Sequence, residues 1–249
     1  MKIAVAGKGG TGKTTIAGTL SRLLAQQGLR VTAIDADGNP NLGVALGLGP
    51  DTALVRSIRN ELDDHHHGEE SRQLDLGRLI DELAVRTPDG IRLVQIGTIE
   101  RPSAGCLCCG SHSTLRDVFE RIAPGPGDVV MADLEAGAND LVWARPGAED
   151  TLLVVTDATR KSLEVARRLL HIAGELGIGR IVLVGNRLKH GEMDRITEEL
   201  AGVETVGIPE DEEVLDADRH GAAVLDAAPQ GAAVGAIRQL VHRLQPPTA

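Results

Sequence analysis

At 249 residues with 42% hydrophobic side chains, the chain is long enough to enclose one sizeable core, and we expect a single domain over residues 1–249. Thirty-six acidic against 26 basic residues leave a formal net charge of -10, and the aromatics are only Phe119 and Trp143, which disfavours nonspecific attraction to nucleic acid or anionic membrane and removes the stacking platforms of a single-strand binder. No apolar run reaches the length of a membrane span, the N-terminus enters a strand without a signal-peptide pattern, and three cysteines crowded into 106–109 make no disulfide framework, so a reducing, cytoplasmic setting is expected.

The apolar run 2–6 precedes Gly7-Lys8-Gly9-Gly10-Thr11-Gly12-Lys13-Thr14, and a helical pattern over 15–27 follows. This is G-x-x-x-x-G-K-[ST] between strand and helix. The spacing predicts a loop whose backbone N–H groups (Gly9, Gly10, Thr11, Gly12, Thr15) face the β-phosphate of a nucleotide, with Lys13 neutralising charge and the Thr14 hydroxyl on Mg²⁺. A second strand over 30–34 runs into Asp35-Ala36-Asp37-Gly38-Asn39-Pro40-Asn41; strand-end aspartates of such a fold face the nucleotide, a turn-capping role being the alternative.

Residues 51–89 carry helical patterns over 53–62 and 73–84 around an acidic, histidine-rich run, Asp63 to Glu70, whose His65, His66 and His67 cannot share one helix face and read as a solvated loop or a loose nickel or zinc buffer. A third strand over 91–99 leads to Gly105-Cys106-Leu107-Cys108-Cys109-Gly110, ahead of a helical pattern over 113–122. In an extended pre-helix turn Cys106 and Cys108 present two thiols on one side, near a helix N-terminus that favours thiolate, while Cys109 faces elsewhere. Burial as small hydrophobes is the alternative.

Strand core 128–131 ends at Asp133, where a carboxylate suits Mg²⁺-bound water, and is followed by Leu134-Glu135-Ala136-Gly137. A strand over 150–155, a one-faced helix over 160–176, a strand over 180–184 ending in Gly185-Asn186-Arg187, and a strand over 203–208 ending at Pro209 complete the alternation. A final helix over 230–244 has Val234, Ile237, Leu240, Val241 and Leu244 at core spacing and is expected to dock on the domain, leaving 245–249 frayed. The whole pattern predicts an α/β fold, a mainly parallel β-sheet with helices on both sides and the nucleotide at the strands' C-terminal edge.

The string 8–15, with a lysine directly after the first glycine, resembles the deviant Walker A loop of the MinD/ParA superfamily. The resemblance implies a P-loop ATPase in which Lys8 reaches the ATP of a partner subunit in a nucleotide-sandwich homodimer. It further implies Asp35 near the Mg²⁺ shell, Asp37 orienting or deprotonating the attacking water, Asp133 as the Walker B-like aspartate, the Gly137 N–H sensing the γ-phosphate, and Asn186, Arg187 and Pro209 around adenine. Gly105-Cys106-Leu107-Cys108 followed by Leu115-Arg116-Asp117, together with Glu135-Ala136-Gly137, is similar to the CooC-type ATPases that assist nickel insertion into carbon monoxide dehydrogenase. Cys109 stands where a proline is expected.

By that likeness the chain is a metallochaperone whose Cys106 and Cys108, doubled by a two-fold axis, hold one Zn²⁺ or Ni²⁺ between subunits on behalf of a carbon monoxide dehydrogenase-like client metalloenzyme. Two alternatives remain: a MinD/ParA-type positioning ATPase cycling on membrane or nucleoid, and an electron donor with a [4Fe–4S] cluster across a dimer.

Overall fold

The computed structural model describes residues 1–49, 56–58, 76–97 and 107–245, with backbone alone at 76 and 107–113. The expected helix at 53–62 apart from residues 56–58, the histidine run, Cys106 and the last four residues lie outside this set.

In chain order the described elements are β1 (Lys2–Gly7), α1 (Lys13–Gln26), β2 (Arg30–Asp35), α2 (Leu42–Ala45), α3 (Leu76–Leu83), β3 (Val85–Arg86), β4 (Arg92–Gln95), α4 (Leu107–Arg121) and β5 (Asp128–Asp133). They continue with α5 (Asn139–Ala144), β6 (Thr151–Thr156), α6 (Arg160–Leu176), β7 (Arg180–Leu188), α7 (Glu192–Glu199), β8 (Glu204–Pro209), α8 (Glu212–Arg219), α9 (Val224–Ala227) and α10 (Ala232–Leu244). The strands form one sheet in the order β3-β4-β2-β5-β1-β6-β7-β8. Every described pairing is parallel except β3 with β4, a two-residue antiparallel edge that the sequence pattern did not announce.

The central strands are apolar throughout because both faces are covered. Alternation sorts their residues: Ile3, Val5, Val129, Met131, Leu153 and Val155 pack on the side of α1 and α10. Ala4, Ala6, Val130, Ala132, Leu152 and Val154 pack on the side of α4, α5 and α6. The apolar stripe of α10 is fully used against this core, as its spacing predicted. Each fully buried aliphatic side chain contributes about 1.5–3 kcal/mol to that docking.

Two boundaries differ from the sequence reading in ways that matter. Helix α4 begins at Leu107, not near Ser113, so Cys108 and Cys109 lie in its first turn and not in an extended segment. Strand β7 continues through Asn186 and Arg187 to Leu188, with an irregular register between Gly185 and Leu188.

Candidate functional site

The ends of β1, β2, β5, β7 and β8 lie on one edge of the sheet and deliver the loop after Gly7, Asp35, Asp133, the Asn186-Arg187 pair and Pro209 to a common region. Between them opens a cavity of about 480 Å³, lined by Gly9, Gly10, Lys13, Thr14, Asp37 and Arg187 among others. It is placed where the sheet edge, the Gly-rich loop and the start of α1 predict an anion site.

The loop is shaped by steric necessity. Gly12 has φ 91°, in the left-handed region, and caps α1 without a side chain; a Cβ there would overlap Asn186 Nδ2. A Cβ on Gly7 would overlap the Val155 carbonyl of the adjacent strand. Glycine at both positions is therefore dictated by close approach. The Thr11 hydroxyl donates to the Lys8 carbonyl at 2.8 Å and closes the loop on itself. Lys8 is half-buried, and its Nζ donates to its own Gly9 carbonyl at 3.3 Å.

Lys13 is buried, as are Asp35 and Asp133, each 2% exposed. The Asp35 Oδ1 accepts from the Asp37 N–H at 3.2 Å and Oδ2 from the Leu42 N–H at 2.9 Å, so this carboxylate shapes the 36–42 loop. Burial nevertheless pushes its pKa up to about 6. Asp133 is pushed further, to about 7, by burial first and by the Asp35 charge second, while the Thr14 hydroxyl and Lys13 pull it down.

One Asp133 oxygen, Oδ1, is buried without a hydrogen-bond partner. An orphaned carboxylate oxygen beside the Thr14 hydroxyl fits the oxygen donor set of a hard divalent cation or its water shell. Asp37 lines the cavity, with its Oδ1 accepting from the Asn39 N–H at 2.8 Å.

After Asp133 the chain passes close to the Gly-rich loop. The Gly137 N–H donates to the Gly7 carbonyl at 3.2 Å, and Asp140, itself buried, accepts the Glu135 N–H at 2.8 Å through Oδ2. Asp140 thus ties this loop to the start of α5, a role its sequence position alone did not suggest. Helix α5 carries Val142 and Trp143, exposed large hydrophobics at 43% and 39%.

A second, narrow cavity of about 30 Å³ lies between Asn186, Arg187, Ile208, Pro209, Val214 and Ile237. The expected base-side residues therefore do meet, in a space too small for a purine as it stands. Among the described residues no cluster of three or more His, Cys, Asp or Glu side chains forms a metal site; the side chains of Cys106 and Cys108 lie outside that set.

A family model described as CobQ/CobB/MinD/ParA nucleotide binding domain matches residues 2–232. The chain belongs to this family. It is a P-loop ATPase of the MinD/ParA type, and the sheet and loop described above are that family's fold.

Among curated proteins, this MinD/ParA-type chain is 33% identical over 234 residues to an uncharacterized ATP-binding protein of Methanocaldococcus jannaschii, covering 89% of the chain and 90% of that protein. It is 32% identical over 244 residues to the carbon monoxide dehydrogenase accessory protein CooC of Rhodospirillum rubrum, covering 92% and 91%. Among solved structures it resembles the septum site-determining protein MinD complexed with Mg-ADP from Pyrococcus horikoshii, with TM-score 0.72 and 19% identity over 98% of this chain and 95% of that one. The likeness to the CooC-type branch and to the wider superfamily, read earlier from short motifs, thus extends over almost the whole chain.

Sequence reasoning missed one further contact. Arg22, on α1 and 5% exposed, donates to Asp226 of α9 through Nη1 at 2.8 Å and Nη2 at 2.7 Å, and pairs through Nε with Asp89 in the turn between β3 and β4. No local signal marks it, because its partners lie 67 and 204 residues away.

Proposed function

We propose that this ATPase is a dimeric, MgATP-driven metallochaperone that delivers nickel, with zinc as an alternative metal, to a carbon monoxide dehydrogenase-like client enzyme. The observation carrying the reading is the 32% identity with the CooC accessory protein across 92% of the chain, in a sequence that has Cys106-Leu107-Cys108 at the head of α4.

In this reading Gly9, Gly10, Thr11, Gly12 and Thr15 cradle the phosphates, Lys13 neutralises their charge, and Thr14 with Asp133 and Asp35 holds Mg²⁺ and its water shell. Mg²⁺ supplies electrostatic stabilisation of the transferring phosphoryl oxygens. Asp37 orients the attacking water. Asn186, Arg187 and Pro209 surround the base.

Lys8 must leave its own Gly9 carbonyl to reach the partner's nucleotide, and the Gly137 N–H must leave Gly7 to meet the γ-phosphate. Both exchanges replace an intramolecular bond by one to a charged group, a stronger partner. ATP thereby favours the dimer, and a two-fold axis brings two Cys106-Leu107-Cys108 segments together around one soft metal.

Mass measurement by light scattering combined with metal analysis of protein purified without chelator tests the reading. The expected result is about one Zn²⁺ or Ni²⁺ per two chains, lost in Cys106→Ala and Cys108→Ala with weakened dimerisation, and a Lys8→Ala variant that binds ATP but stays monomeric. Tight binding of one metal per monomer, or full retention in the double cysteine variant, would overturn it.

A second reading, a positioning ATPase acting on membrane or nucleoid, is favoured by the fold likeness to MinD. The buried apolar stripe of α10 and the net charge of -10 speak against membrane and nucleoid, respectively. No helix among the described residues is long and apolar enough to cross a membrane. ATP-dependent sedimentation with anionic vesicles or DNA would favour this second reading.

A further inference from the structure

A phosphate loop that turns N–H groups toward its ligand turns carbonyls away from it, and each carbonyl left in a protein wall needs a donor. Here every carbonyl from Lys8 to Gly12 has one. Lys8 O accepts from Thr11, Gly9 O from Lys8 Nζ, and Gly12 O from the Ile16 N–H at 3.0 Å. The two in the middle are supplied from across the sheet: Gly10 O accepts from Arg187 Nη1 at 3.1 Å, and Thr11 O from Asn186 Nδ2 at 2.7 Å.

Consecutive loop carbonyls are thus held by consecutive residues of β7, some 175 positions away. The strand is distorted to do so. Register with β8 breaks between Gly185 and Leu188, and Arg187 adopts φ 57°, a left-handed conformation rare for a non-glycine residue. Asn186 is 8% exposed and packs so closely on Gly12 that no Cβ fits between them.

We propose that Asn186 and Arg187 are positioning residues for the phosphate loop, acting through the Thr11 and Gly10 carbonyls independently of any contact with the base. Because the peptide bond is trans, fixing the Thr11 carbonyl outward fixes the Gly12 N–H in the opposite direction, toward the cavity. Asn186 therefore presets the Gly12 donor, and Arg187 holds the Gly10–Thr11 peptide whose N–H closes the loop on the Lys8 carbonyl at 3.3 Å, both before any nucleotide arrives. The inference rests on the ATPase site alone, so it stands or falls separately from the dimer and its metal.

Base-free Mg-tripolyphosphate is the probe, measured by displacement of a fluorescent ATP analogue from full-length protein, together with the ATP:GTP affinity ratio and the melting temperature of nucleotide-free protein. Asn186→Leu removes the donor without adding charge, and Arg187→Gly removes the other while accepting the positive φ. Tripolyphosphate affinity is expected to fall about tenfold in the first and several-fold in the second, a loss that base contacts cannot produce because the probe carries no base. Arg187→Lys, which keeps charge and a donor, is expected near wild type.

Unchanged tripolyphosphate affinity in a variant that melts like wild type would overturn the proposal, and an ATP:GTP ratio collapsing at the same time would assign the residue to the base alone. Arg187 is exposed, so its variant remains readable if Asn186→Leu fails to fold.

Discussion

Asp35 and Asp133 stand opposite each other at the ends of paired parallel strands, in direct register, both buried and both with raised pKa. Two carboxylates so placed cannot both hold a charge cheaply without a cation between or beside them. Lys13 is one such cation, acting on Asp133 together with the Thr14 hydroxyl.

A pH dependence follows for the metal-free and nucleotide-free protein. Both folded-state values, about 6 and about 7, lie above the 3.8 of an ordinary aspartate, so between these limits the folded state binds more protons than the unfolded chain. Their contribution is complete below about pH 4 and is lost as the pH rises through 6 to 7. Urea titrations in chelator are expected to show this loss, and Asp133→Asn is expected to flatten it; an equal slope in the variant would refute the assignment.

Asp37→Ala is expected to keep MgATP affinity within a few-fold and to reduce turnover by about 100-fold or more, since the loop, Thr14 and Asp133 remain while the carboxylate we propose to orient water goes. Isothermal titration with a nonhydrolysable analogue and a phosphate-release assay separate the two effects. Wild-type turnover would remove Asp37 from the mechanism.

The Arg22 clamp gives an asymmetric stability test. Replacing both Asp89 and Asp226 by Ala leaves a guanidinium buried without its counter-charges and is expected to cost about 3 kcal/mol. Arg22→Met instead releases two carboxylates, and the Asp226 side chain is already 57% exposed, so about 1 kcal/mol is expected. Chemical denaturation midpoints of the two variants decide it, and the reverse order would show that packing of α9, not charge, dominates.

Trp143 is the sole tryptophan and lies on α5, six residues beyond Gly137. Release of the Gly137–Gly7 hydrogen bond by ATP is expected to alter its emission relative to ADP, because Asp140 couples the loop to that helix. Identical spectra with ADP and a nonhydrolysable ATP analogue would show that α5 does not follow the loop.

Much of this was legible because it is local. A strand, a Gly-rich loop and a helix in sequence carry their own phosphate chemistry, and unbroken apolar strands announce a sheet covered on both faces. The head of α4 was not legible: Leu107-Cys108-Cys109-Gly110-Ser111-His112 contains a helix-weakening glycine and no apolar periodicity before Leu115, so it reads as a turn. The Arg22 clamp, the β3 edge and the brace from Asn186 and Arg187 depend on partners far along the chain, which no window of sequence brings together. Short helix α9 escaped notice for a different reason, having only four residues over which to show a period.

The strand order also governs when the molecule can fold. Among the described residues β1 pairs with β5 and β6, so it is flanked by strands that begin far along the chain, at Asp128 and Thr151. During synthesis the apolar run Ile3-Ala4-Val5-Ala6 waits, without its neighbours, until residues 128–133 and 151–156 have emerged. Such non-local pairing slows folding and leaves a sticky segment exposed in the meantime, so truncations ending before Asp128 are expected to aggregate, and the intact chain to depend on holdase chaperones while it is being made.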